Sequence, residues 1–113
     1  MMYDASVQAL SVLGVSAAVT GNNVANMNTP GFKASRADLA SGPGDQGVRV
    51  AAITPDDTPG PLVPEGGRLT EGSNTDLVRE LTTLMGTETA YGANAAVIQT
   101  GQELSGAILD LIV

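Results

Sequence analysis

The chain has 113 residues, five basic against twelve acidic side chains for a net charge of −7, and neither cysteine nor histidine. That balance argues against a nucleic-acid partner, whose phosphates call for clustered Lys and Arg; here Lys33, Arg36, Arg49, Arg68 and Arg79 are dispersed. The missing thiols and imidazoles remove disulfides, the usual transition-metal ligands and the commonest general base.

All six prolines fall between Pro30 and Pro64. The sequence on either side is proline-free and apolar at helical spacing, which predicts two terminal helices meeting around a short, turn-rich insert. With one Phe, two Tyr and no Trp, contacts must rest on aliphatic packing and close backbone approaches. Two helices and a thin insert cover less apolar surface than a globule, so much of each stripe is expected to await neighbouring subunits. No run approaches the roughly 18 apolar residues of a spanning helix, so no membrane insertion is expected. The segment 9–19 (ALSVLGVSAAV) is similar to the apolar part of a secretory signal. A signal needs a positive start, however, and the first basic residue is Lys33 while Asp4 stands near the front. A helix is the preferred reading.

The first segment, residues 1–33, opens with Asp4 as N-cap. Tyr3, Val7, Leu10, Gly14, Ala17, Gly21 and Val24 recur at steps of four and three, the spacing of a helix seam. On this spacing Gln8 lies on the solvent side. Glycine costs about 1 kcal/mol against alanine inside a helix, so Gly14 and Gly21 ask for a reason, such as close approach of another backbone. An Asn-rich stretch then ends the helix: Asn26 and Asn28 lead into Thr29-Pro30-Gly31-Phe32. Pro in the second position and Gly in the third predict a type II turn, with Phe32 packed over the bend.

The insert, residues 34–72, offers one good strand, Val48–Ile53, with Leu62-Val63 and Arg68-Leu69-Thr70 as shorter partners. Residues 41–45 and 58–61 read as loops. A small β hairpin or strand pair is expected, and not a full sheet. The last segment, residues 73–113, opens with Ser73 and Asp76 in the spacing of a capping box. Leu77, Leu81, Leu84, Tyr91, Ala95 and Ile98 continue at seam spacing, and Val97, Leu104, Ile108 and Leu111 form a neighbouring stripe. Unbroken from Asn74 to Ile112, this helix would be about 58 Å long. Gly86, Gly92, Gly101 and Gly106 invite fraying or a kink.

Chemistry is hard to find. Asp56-Asp57 lacks the ordered oxygen donors of a calcium loop. Residues 42–47 (GPGDQG) do not join a strand to a helix as a phosphate loop must. No base stands ready to activate a Ser or Thr. We read no active site, no cofactor and no metal.

The two ends together resemble the flagellar axial protein family, the rod, hook and hook-associated proteins of bacteria. Residues 22–33 (NNVANMNTPGFK) are similar to its N-terminal signature, a heptad helix followed by an Asn-rich stretch and a Thr-Pro-Gly-aromatic turn. Residues 71–104 are similar to its C-terminal signature, most closely at Leu77, Val78, Leu81, Leu84, Tyr91, Ala93, Asn94, Val97, Ile98, Gln99 and Thr100. The resemblance implies a mainly α fold in which both terminal helices pair as an antiparallel coiled-coil-like domain. It implies assembly with other rod or hook subunits, and with like copies, in the basal-body rod that crosses the periplasm. It further implies export unfolded through the flagellar type III apparatus, without a cleaved signal. The short insert is similar to small rod subunits, while the EGSNTDL start at Glu71 is similar to distal-rod and hook proteins. A second expectation is a non-polymerising accessory of the same pathway: a junction adaptor, an assembly cap or a chaperone-like helical protein.

Overall fold

A computed structural model describes residues 4–112; Tyr3, placed on the seam above, lies outside them. Helix α1 spans Asp4–Ala25 and helix α2 spans Leu77–Ile112, and the two are in contact. Between them run two antiparallel strand pairs. β1 (Ser35–Ser41) pairs with β2 (Val48–Pro55), and β3 (Leu62–Glu65) pairs with β4 (Arg68–Glu71). The fold is mainly helical, with the two long helices together and the strands confined to the insert.

Each boundary has a local cause. α1 ends where the Asn26 amide donates to the Asn22 carbonyl at 2.9 Å and the chain tightens through Met27 N–H to Val24 O. The turn that follows is type II: Phe32 N–H donates to Thr29 O at 3.2 Å, and Gly31 takes φ 72°. α2 begins later than the capping-box spacing suggests. Its N-cap is Asp76, whose carboxylate accepts from the N–H groups of Val78 and Arg79, while Ser73 turns instead to Thr75. The helix then continues to Ile112 without interruption at its glycines.

The strand pairing corrects the expectation. Val48–Ile53 does form a strand, but its partner is Ser35–Ser41, and the two shorter segments pair with each other. The second pair is closed by Gly66-Gly67, both at positive φ, which is the two-residue primed turn suited to strand twist. The first pair carries a bulge at Ala51, where the register steps from Asp38↔Ala52 to Leu39↔Val50. This longer hairpin lies against α1. Its tip reaches Gln8, whose side chain is exposed and occupies the space a Cβ on Gly47 would need.

The helices run antiparallel, with Asn23 against Glu80 and the Leu13–Ala17 stretch against Leu84–Tyr91. α1 is about 33 Å long and α2 about 54 Å at 1.5 Å per residue, so the last third of α2 reaches past the described part of α1. The molecule measures 77 × 25 × 14 Å, a narrow blade. Among the described residues the only buried apolar side chains are Val12 and Ala34.

Candidate functional site

What the fold buries instead is polar. Asn23, in the closing turns of α1, is 1% exposed. Its side-chain N–H groups donate to the Ser35 carbonyl at 2.7 Å and to a Glu80 carboxylate oxygen at 3.1 Å, and its Oδ1 accepts the Ser35 N–H at 2.9 Å. The amide therefore meets both main-chain groups of Ser35, as a neighbouring strand would. The Asn23 carbonyl, near the end of the helix, accepts from the Thr75 hydroxyl at 3.0 Å.

Asn74 repeats the device from the other side. Its Oδ1 accepts the Ala34 N–H at 2.6 Å, and its amide donates to the carbonyls of Asp56 and Thr58 at 2.7 and 2.8 Å. Its own N–H donates to Phe32 O at 3.1 Å. Beside it the Lys33 ammonium pairs with Glu71 and donates to Thr58 O, while the Glu71 carboxylate also accepts the Gly60 N–H at 3.0 Å. Gly31 N–H donates to Glu71 O at 2.9 Å, tying the type II turn to the end of β4. Five pieces of chain meet here: the end of α1, the turn, the first residues of the insert, its exit from β2, and the approach to α2. We call this convergence the clasp.

Its electrostatics follow from these bonds. The Glu71 carboxyl is held below the ordinary range first by the Lys33 hydrogen bond and then by the Gly60 N–H. Asp56 is lowered by the side chain and then the N–H of Thr58, and Asp38 by the Thr54 hydroxyl and then Arg36. All three favour the charged form through hydrogen bonds. Among the described residues, no group of three or more His, Cys, Asp and Glu side chains could hold a metal ion. The clasp's groups hold main chain, and neither an activated nucleophile nor a base emerges from them.

The seam residues are placed as follows. On α1, Leu10, Ala17 and Val24 are half-buried, while Val7, Gly14 and Gly21 are exposed. On α2, Ile98 is half-buried, and Leu77, Leu81, Leu84, Tyr91, Ala95, Leu104 and Ile108 are exposed. The residues withdrawn from solvent lie a step around each helix: Ser6, Val12, Thr20 and Asn23 on α1, and Glu80 with Thr87, Asn94 and Gly101 on α2. Of the turn motif, Asn26 and Phe32 are half-buried and Asn28, Thr29, Pro30 and Gly31 exposed; Asn26 Oδ1 accepts the Thr29 hydroxyl at 3.0 Å. Sequence reasoning missed Asn23, Asn74 and Glu80 as the residues that join the segments. The signal available was a polar residue interrupting each apolar helix face at the end nearest the insert.

Two family comparisons match, and they fall on either side of the insert. Residues 4–33 match the flagella basal body rod protein family, and residues 65–111 match the flagellar basal body rod FlgEFG protein C-terminal family. The chain belongs to the flagellar basal body rod protein family. A comparison with curated proteins finds no match. The rod family is structural and not enzymatic, and it implies assembly with other flagellar axial subunits. In this rod-family chain Asn23 and Lys33 come from the N-terminal match, and Glu71, Asn74, Thr75 and Glu80 from the C-terminal one. Among the described residues, no helix is long and apolar enough to cross a membrane.

Proposed function

We propose that this chain is a structural subunit of the flagellar basal-body rod that polymerises through α1 and α2 into the axial tube, beside other rod or hook subunits. The observation that carries this is the inverted burial: Asn23 and Glu80 of the clasp are buried while most large apolar side chains of α2, with Val7 and Val15 of α1, stand open. A compact chain of 11.4 kDa would expose about 5,800 Å². This one exposes 7610 Å². The large apolar side chains exposed along the paired helices mark an interaction site, on a blade suited to lateral packing.

The subunit reaches the rod, in this reading, through the flagellar type III apparatus, unfolded and without signal cleavage. A blade with so small an apolar core is compatible with such a route, since little packing must be undone. Mass spectrometry of basal bodies purified from cells carrying a tagged copy tests the proposal. The chain is expected in the rod fraction at fixed stoichiometry, with motility lost on deletion of the gene. Motility without the gene, or a chain confined to the cytoplasm of wild-type cells, would move it to the adaptor, cap or chaperone-like reading.

A further inference from the structure

Beside the clasp, α1, β1 and the first turns of α2 enclose a cavity of about 180 Å³. Two residues of its wall are almost fully buried: Thr20, 3% exposed, and Glu80, 7% exposed. Asn23 holds one oxygen of the Glu80 carboxylate, Oε1. Among the described residues nothing donates to Oε2 and the Thr20 hydroxyl has no partner. The described ion pairs, Lys33–Glu71 and Arg36–Asp38, leave Glu80 out. No sealed side-chain oxygen among these residues is left without a partner, so both atoms open to the cavity their residues line. The other charges at the wall balance. Arg36 and Arg79 stand there, but Arg36 pairs with Asp38, and both arginines act on the Asp56 carboxylate beside them. Two positive and two negative groups leave the Glu80 carboxylate in excess, and a buried carboxylate is costly until a cation meets it.

We propose that this cavity receives the ammonium of a lysine side chain from a protein other than this one. An ammonium carries three N–H donors and no acceptor, which suits Glu80 Oε2, Thr20 Oγ1 and the hydroxyl of Ser16 or Thr83 on the same wall. A guanidinium fork calls for both carboxylate oxygens, and Asn23 already holds one of them. A second copy of the chain is a poor source, because its one lysine, Lys33, is bound to Glu71 and to the Thr58 carbonyl. In the rod reading, on which the choice of partner rests, the lysine belongs to an axial protein of different sequence.

The test uses the whole chain, isotope-labelled for amide NMR, with Nα-acetyl-lysine methylamide as the probe. The amides of Thr20, Ser35 and Thr83 are expected to shift saturably as probe is added. Glu80→Gln keeps an oxygen for the Asn23 amide and is expected to weaken the probe by about tenfold, the worth of one charge-assisted hydrogen bond. Thr20→Val should weaken it by a smaller factor. Acetylating the probe's ε-amine should abolish the shifts, and the arginine analogue should bind less well than the lysine one. The proposal is overturned by the absence of saturable shifts, or by equal binding of the acetylated probe. It is overturned too by equal affinity in a Glu80→Gln chain whose circular dichroism matches the parent. If Glu80→Gln does not fold, the amine and its acetylated form compared on the parent chain decide the matter. Spermidine binding more tightly than the lysine probe would assign the cavity to a free polyamine and overturn the protein partner. None of these readouts needs assembly, so their failure leaves the rod reading standing. A chain absent from isolated rods overturns the rod reading without touching the NMR result.

Discussion

Truncating Asn23 to Ala would strand three groups at once: the N–H and carbonyl of Ser35 and the Glu80 carboxylate. An unsatisfied buried polar group costs roughly 1–3 kcal/mol, so Asn23→Ala is expected to lose about 2–4 kcal/mol in urea unfolding. Glu80→Gln keeps a carbonyl oxygen for Asn23 to donate to and should cost less than about 1 kcal/mol. If Asn23→Ala unfolds at the parent's urea midpoint, the clasp does not join the segments as described. Glu71 sets a pH dependence. Its folded pKa is depressed by Lys33 and Gly60, so its contribution is fully present above the ordinary glutamate pKa and is lost as pH falls through the lower folded value. Asp38 and Asp56 are depressed as well and add in the same direction. Melting temperature is therefore expected to hold through neutral pH and to fall on acidification below about pH 4, near the ordinary carboxylate range. Glu71→Gln should flatten that acid slope.

Among the elements, the glycines sort themselves by what surrounds them. At Gly60 a Cβ would stand 2.1 Å from the Gly72 carbonyl oxygen, so two backbones approach there with no room for a side chain. Gly60→Ala must push them apart and is expected to cost about 2–4 kcal/mol, in the range of severe overpacking. Gly86 and Gly92 of α2 have nothing within 4 Å, and each change to Ala should stabilise the helix by about 1 kcal/mol. Thermal unfolding of the three variants checks the contrast; a neutral Gly60→Ala would contradict the close approach. The close approach expected from sequence at Gly14 and Gly21 is absent within one chain and occurs at Gly60, a loop glycine that carried no periodic signal. Helices α1 and α2 were legible because their apolar spacing is local. Ser35–Ser41 was not, because SRADLAS has little β propensity and becomes a strand through its pairing with β2. Partner choice between the other strands depends on connection more than propensity, and Gly66-Gly67 was the available clue. Asn23 was hidden in an Asn-rich stretch that reads as a helix ending, since its partners stand 12 and 57 residues away.

The whole molecule is long for its mass. Its radius of gyration is 19.7 Å, where a compact chain of this length would have about 13 Å. Such a blade has much to gain from neighbours and little to hold it alone. Its apparent melting temperature is therefore expected to rise with protein concentration, as mass action requires when only the folded form associates. A melting temperature constant from dilute to concentrated solution, with full helicity throughout, would argue against assembly by these helices.

The clasp carries one more implication. Every hydrogen bond it makes to the stretch between Ala34 and Pro61 ends on main chain: the Ala34 and Ser35 N–H groups, the Ser35, Asp56, Thr58 and Pro61 carbonyls, and the Gly60 N–H. The side chains that do the gripping, Asn23, Lys33, Glu71 and Asn74, all lie in the two segments matched to the rod family. The end of α1 and the segments that flank the insert thus work as a socket blind to the spelling of whatever is plugged into it. Loops of other content, even whole domains, could be mounted there if their two ends leave in the same geometry, so the insert is free to diversify while the helices and the clasp stay fixed.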